Sequence, residues 1–542
     1  MSSLTPTPQR QPPDATPGRA QVLRAAGIVS AAFVLSRLLG FGRDVVIAYY
    51  YGATSLEANA YRIAGRVPET IFFIIAGGAL GSAFIPTFAA YFAREDAEGG
   101  WRLFSAVTNL VLLVLALISV GVALFARPFL LLYLPELSES PQLLTLTTAM
   151  LRVLLLSTVI FGASGVVMGA LNARQHFLLP AVAPMVYNLG IILGAVLTAP
   201  PFRDAPNVMG LAWGTVFGAA GHLLIQLPAL WQQRARYTPI VSIRHRGVRQ
   251  VLRLMAPRVL GLSFSQINNL IIPALAQSLL IVAAIDFAWK IVLMPQSILG
   301  QALGIAAFPT FATLAASRAL PEMRRILADT LRLILFIGLP AMALLMVLGE
   351  PLVTLAFERG AFDAADTSLV SWALLFFAPG LVALAMLEVI SRAFYALEDT
   401  RTPVLAGAVQ LLMMALLAYA FSRLLFPAFG WPTLGGLALG VSLSNLLETG
   451  FLLWLLKRKM GGIAGRHLLD GIWRVSVATL LMVSMVLLTR ALLIGTRPDT
   501  GAFWQLVLGG LVAAVVYLLA ARGLQITELE QFVRRLPPRL RL

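Results

Sequence analysis

The fold class this sequence predicts is an all-α polytopic membrane protein. It should have about fourteen transmembrane helices, arranged as two pseudo-symmetric six-helix lobes plus two C-terminal helices around a central cavity. Three observations lead there. Of the 542 residues, 59% are hydrophobic and only 12% charged, which excludes a soluble globular enzyme. Apolar runs near the ~20 residues that a helix needs to cross ~30 Å of hydrocarbon recur along the whole chain. One segment also repeats at a fixed offset.

Taken in order, residues 1–22 are rich in Pro, Ser, Thr and Gln and lack an apolar stretch with a small-residue cleavage site. They are expected to form a disordered cytoplasmic tail, with the first span as its own insertion signal. Residues 23–232 supply the first lobe with six spans, and 233–250 a basic cytoplasmic linker. Residues 251–457 supply the second lobe with six more, 458–522 hold spans 13 and 14, and 523–542 form a second basic tail.

Lys and Arg concentrate in the tails and the loops after even-numbered spans, including Arg234, Arg236, Arg244, Arg318, Arg324, Lys457 and Arg458. The opposite loops carry few, among them Arg127, Arg203 and Arg359. The positive-inside bias therefore predicts both termini in the cytoplasm. It also accounts for the net charge of +16 without nucleic acid as a partner. No cysteine is present and the four histidines are scattered, so thiolate chemistry, a metal cluster and a metal cofactor are not expected.

A shift of 223 positions lays Ala79–Ala89 on Ala302–Ala312 with eight identities in eleven, including Pro86-Thr87-Phe88-Ala89 on Pro309-Thr310-Phe311-Ala312. Six spans separate the two copies. An even number keeps the repeats in the same orientation, so the halves should be related by an axis along the membrane normal, a transporter architecture with a site between lobes.

Ionisable residues inside spans mark functional cavities by default. The first span carries Arg37, Arg43 and Asp44, with Gly40 and Gly42 between the arginines. A bend there would turn both guanidiniums into one cavity; alternatively the arginines snorkel to headgroups. Arg62 and Arg66 share a helix face in the second span, where like charges need an anion or carboxylate between them, or else flank a membrane end. Asp286 and Lys290 stand four residues apart in the eighth span, as a neutral structural pair or as ligand contacts. The first half thus offers clustered positive charge with few compensating acids, and its natural ligand is an anion such as a diphosphate. No nucleophile–base arrangement or phosphate loop appears, so the protein is not expected to be an enzyme.

These residues resemble a known family. Ser36-Arg37-Leu38-Leu39-Gly40-Phe41-Gly42-Arg43-Asp44, Gly81-Ser82-Ala83-Phe84-Ile85-Pro86, Gly169-Ala170-Leu171-Asn172-Ala173-Arg174-Gln175 and Phe394-Tyr395-Ala396-Leu397-Glu398-Asp399-Thr400-Arg401-Thr402-Pro403 look like the MurJ (MviN) lipid II flippases of bacteria. The resemblance spans residues 25 to 460. It implies the multidrug/oligosaccharidyl-lipid/polysaccharide exporter fold, a lipid-tail groove formed by spans 13 and 14, and residence in the bacterial cytoplasmic membrane. It also implies movement of lipid II, the undecaprenyl-diphosphate-linked peptidoglycan precursor, to the outer leaflet for cell wall synthesis.

The family's arginines fall on Arg37 and Arg43, and their acidic neighbour on Asp44. Two departures stand out. The family's arginine pair after the Pro of span 2 is replaced by Glu69-Thr70 with Gly77 in place of a nearby acid, and its span 8 Asp-Arg pair falls on Trp289-Lys290. Arg62 and Arg66 are expected to restore the positive charge. The substrate-binding set is therefore Arg37, Arg43, Asp44, Arg62, Arg66 and Lys290. The expected mechanism is alternating access, reset by membrane potential or an ion. The alternatives are a flippase for another polyprenyl-linked oligosaccharide and a cation-coupled drug exporter.

Overall fold

A computed structural model describes residues 19–74, 79–200, 202, 205–276, 278–463, 465–496 and 501–530. Most of the first tail, Gly77 and the last twelve residues lie outside them. The described residues are helical nearly throughout, as expected of backbone that must satisfy its own hydrogen bonds in lipid. The first half contains α1 (Arg19–Tyr51), α2 (Leu56–Phe72), α3 (Ala79–Ala93), α4 (Ala97–Leu124), α5 (Ala126–Tyr133), α6 (Pro141–Ala173), α7 (Leu178–Leu197), α8 (Met209–Leu224) and α9 (Leu227–Gln232). The second contains α10 (Arg246–Leu275), α11 (Val282–Gln296), α12 (Leu303–Ala316), α13 (Leu320–Val347), α14 (Gly349–Phe357), α15 (Ala364–Phe377), α16 (Gly380–Ala396), α17 (Arg401–Ala420), α18 (Phe426–Ala428) and α19 (Thr433–Lys459). A final hairpin is α20 (Gly465–Thr496) and α21 (Ala502–Gly523).

Among the described residues, ten helices are long and apolar enough to cross a membrane, or eleven if α15 and α16, bent by 46°, form one span. The breaks have local causes. Pro68, Pro86, Pro295 and Pro309 interrupt backbone bonding, and wide π-type turns follow at Phe73–Ile74 and Ser297–Ala302. Helix starts are fixed by side chains: Ser55 accepts from the Ala58 amide at 3.0 Å, Asp96 from Gly99 at 2.8 Å and Asp363 from Asp366 at 2.9 Å.

The duplication read in the sequence recurs in the packing. In the first half α6 packs on α2, α3, α4 and α8, and α7 on α1 and α8; in the second, α16 packs on α11, α12, α13 and α19, and α17 on α10 and α19. The repeated block lands in equivalent places, with Phe88 of α3 and Phe311 of α12 each fully buried in the core of its own half. A third core joins α1, α2, α5 and α6 to α11, α14 and α15. The α20–α21 hairpin stands outside the repeat and packs on α13 and α14. Large apolar side chains such as Leu117, Leu416 and Trp473 remain about two-thirds exposed in mid-helix, as a lipid-facing surface requires.

At one end the two halves are sealed together. Asp366 of α15 accepts from the Ala53 amide at 2.8 Å and from the Thr54 hydroxyl at 2.7 Å, and the Ala361 amide donates to the Tyr49 carbonyl at 2.8 Å. Asn59 of α2, fully buried, donates to the Leu280 carbonyl at 3.0 Å and accepts from the Ala283 amide at 2.8 Å. Gly52 and Gly360 hold positive φ angles of +66° and +63°, and a Cβ at either would strike the opposite half.

Candidate anion-binding cavity

A cavity of about 560 Å³ opens between the halves, lined by α1, α2, α6, α7 and α8 on one side and by α11 on the other. Arg43, Arg62, Arg66 and Lys290 all line it. They are brought there by three helices. Arg43 and Asp44 lie two turns before the end of α1. Arg62 and Arg66, four residues apart, present one face of α2, and Asp286 and Lys290 do the same on α11.

Two carboxylates bind the cations together. Asp44, 4% exposed, receives Lys290 Nζ at 2.8 Å, Arg62 Nη2 at 3.1 Å and Arg43 Nη2 at 3.2 Å, all on Oδ1. Asp286 is ion-paired with Arg66, and its Oδ2 stands 3.8 Å from Arg62 Nε. Asn188 of α7, also buried, accepts from Arg43 Nη1 at 3.0 Å and fixes that guanidinium from the other side. The Arg62 guanidinium lies over the Phe287 ring at 5.2 Å. The Nε–H groups of Arg43, Arg62 and Arg66 are buried without an acceptor, so each arginine keeps a donor to spare.

The arrangement departs from the sequence reading in three ways. Asp286 and Lys290 do not neutralise each other along α11; Lys290 turns to Asp44 and Asp286 to α2. The positive charge is better compensated than its clustering suggests, because Asp44 and Asp286 sit among the cations and Glu69 lines the cavity as well. Arg37 stands apart: it is exposed, does not line the cavity, and donates to Gln301 Oε1 of the second half at 3.2 Å. The reason is geometric. α1 runs unbroken through Gly40, which faces Asn188, and six residues of continuous helix turn a side chain by about 240°.

The rest of the lining suits a large, mixed ligand. Tyr61, Phe72, Phe161, Tyr187 and Trp289 give aromatic faces, and Ser157, Thr158 and Thr215 give hydroxyls. His222 also lines the cavity and is tied to Ser164 at 2.7 Å. The sequence weighed the histidines only as metal ligands, which hid this one. Its signal was a titratable side chain amid the small and apolar residues of α8.

The fold is shared with solved structures, and the sequence with a known family. The family profile described as lipid II flippase MurJ matches residues 47–498. The chain is 29% identical over 448 residues to a lipid II flippase MurJ of Burkholderia cenocepacia, covering 81% of this chain and 84% of that one. To a probable lipid II flippase MurJ of Vibrio cholerae it is 27% identical over 541 residues, covering 94% and 98%. Among solved structures, a lipid II flippase MurJ in an inward closed conformation superposes with a TM-score of 0.74 at 23% identity, over 91% of this chain and 97% of that one. An inward-facing multidrug resistance transporter of the MATE family superposes with a TM-score of 0.67 at 15% identity, over 80% and 98%. The sequence-derived resemblance and the all-helical polytopic fold stand on these matches, and place the protein among the multi-pass proteins of the bacterial inner membrane. The chain belongs to the lipid II flippase MurJ family.

Proposed function

We propose that this protein translocates lipid II, the undecaprenyl-diphosphate-linked peptidoglycan precursor, from the cytoplasmic to the outer leaflet by alternating access. The observation that carries this reading is the convergence of Arg43, Arg62, Arg66 and Lys290, from both halves, on one cavity between them. Guanidinium forks suit phosphate oxygens, and inside a low-dielectric cavity each charge-assisted bond is strengthened. The aromatic and hydroxyl lining suits the sugar-peptide headgroup, and the exposed apolar flanks leave the polyprenyl tail in lipid.

The excess of Lys and Arg in the tails and the loops after even-numbered spans supports a cytoplasmic location for both termini. The sealed end, with Asp366 and Asn59, then faces outward, and the headgroup enters from the cytoplasmic side. Transport needs no covalent step. Return of a net positive cavity across the membrane draws roughly 2.3 kcal/mol per charge from each 100 mV of potential. The hairpin α20–α21, outside the repeat, supplies a groove for the lipid tail. A cation-coupled drug exporter would instead need an acidic cavity, which the four converging cations oppose.

The test is complementation of a bacterium depleted of its own lipid II flippase, comparing the chain with Arg43→Ala at matched membrane levels. Rescue by the parent and not by the variant is expected. Failure of a well-inserted parent would redirect the assignment to another polyprenyl-linked oligosaccharide.

A further inference from the structure

The ion pairs of the cavity join the two halves. Asp44 belongs to α1 and its partner Lys290 to α11; Asp286 belongs to α11 and its partners Arg66 and Arg62 to α2. Each half therefore presents one carboxylate to the cations of the other. These pairs also sit directly beneath the sealed end. Arg62 is seven residues along α2 from its Ser55 cap, about two helical turns, and Asp286 is three residues from Ala283, whose amide binds Asn59. Separating α2 from α11 at the seal requires these ion pairs to break.

We propose that Asp286 and Asp44 stand in for the phosphates of the ligand, and that Asp286 is thereby a positioning and specificity-determining residue. A diphosphate offers the four cations two phosphates in exchange for two carboxylates. Once the ligand holds Arg62, Arg66 and Lys290, the two halves are no longer tied to each other's acids, and the seal is free to open. The buried Nε–H groups of Arg62 and Arg66 supply donors beyond those the carboxylates use. A monophosphate replaces one carboxylate and leaves the second lock in place, so the device favours a diphosphate over a monophosphate headgroup. The ligand itself is contact and key, because it competes for groups that differ between the two states.

The inference rests on the proposed anionic lipid ligand but is testable apart from it. The sequence holds no cysteine, so Glu57→Cys on α2 and Ala365→Cys on α15, both exposed beside the seal, take spin labels without background. Distances between them are measured by electron paramagnetic resonance in lipid nanodiscs, with farnesyl diphosphate and farnesyl phosphate as probes. In the parent, the diphosphate is expected to shift the population toward the longer distance and the monophosphate to leave it unchanged. Asp286→Asn is expected to favour the longer distance without a probe, on the order of tenfold, and to lose its response to the diphosphate.

The double variant Asp286→Arg with Arg66→Asp restores a pair of reversed polarity and is expected to return the parental distribution. An unchanged distribution in Asp286→Asn, an equal response to both probes, or a double variant that stays open would each overturn the proposal. The two readings fail separately. If Asp286→Asn opens the seal in a chain that does not translocate lipid II, the lock stands and the substrate assignment falls. If lipid II is translocated while the distances ignore Asp286, the lock falls alone.

Discussion

Asn188 is the residue whose part in the cavity is set by one contact. Its amide oxygen holds Arg43 at 3.0 Å from the side opposite Asp44, on a helix of the same half. Asn188→Leu removes an acceptor from a charged donor, a change of about 1.5–3 kcal/mol, and should lower lipid translocation by at least tenfold with insertion unchanged. Translocation at parental rates in proteoliposomes would show that Arg43 is oriented without it. In the sequence, Arg43 and Asp44 were legible because charge within an apolar run is costly. Asp286 was not legible as the partner of α2, because spacing within α11 offers Lys290 four residues away, and only the facing of α2 and α11 decides the pairing. Arg37 illustrates the opposite: two glycines suggested that it would share a cavity with Arg43, and along the continuous α1 it does not.

At the scale of elements, the α20–α21 hairpin is fastened to the second half at both ends. Arg332 of α13, 3% exposed, pairs with Glu528 at 2.5 Å and donates to Thr527 at 2.9 Å; at the other end Arg490 of α20 pairs with Glu350 at 2.5 Å and donates to the Val347 carbonyl at 2.9 Å. Arg332→Ala leaves Glu528 buried without its counter-charge and should cost roughly 3–5 kcal/mol, read as a lower melting temperature in detergent. A melt unchanged by the substitution would mean that the hairpin is held by its apolar face alone. Composition read residues 523–542 as a basic tail, and a count of charges has no means of showing that Thr527 and Glu528 dock against α13.

The loop between α16 and α17 gives a pH signature. The hydrogen bond from Lys459 and those from Thr402 outweigh burial and lower the Asp399 carboxyl to about 2. A depressed folded-state value stabilises above the ordinary carboxylate range and is lost as pH falls through the folded value, so the contribution fades between about pH 4 and pH 2. Lys459→Ala should flatten the fall in melting temperature over that window. An unaltered slope would place the pH dependence on other groups.

For the whole molecule, the two halves repeat one packing pattern, are sealed at one end by Asp366 and Asn59, and meet again where α10 packs on α3. Asp366→Ala removes the acceptor for both the Ala53 amide and the Thr54 hydroxyl, and should raise labelling of a cysteine placed at Thr158 by a reagent confined to the sealed side. Parental labelling would show that the apolar contacts close this end unaided. The repeat was legible because Pro86-Thr87-Phe88-Ala89 and Pro309-Thr310-Phe311-Ala312 recur at one offset, and both copies carry their proline inside a helix. The seal was not, because Asp366, Thr54 and Asn59 bond mostly to backbone amides and carbonyls of the opposite half, and only the facing of the two halves brings those partners together.

The proposed selection of a diphosphate lipid depends on a cluster of four cations shared between the halves. The measurement that tests it most directly is native mass spectrometry of the purified chain and of Arg66→Ala, each offered lipid II and undecaprenyl phosphate together. Preferential retention of lipid II by the parent, lost in the variant, is the predicted result. Equal retention of the two lipids by the parent, or undiminished lipid II on Arg66→Ala, would contradict it.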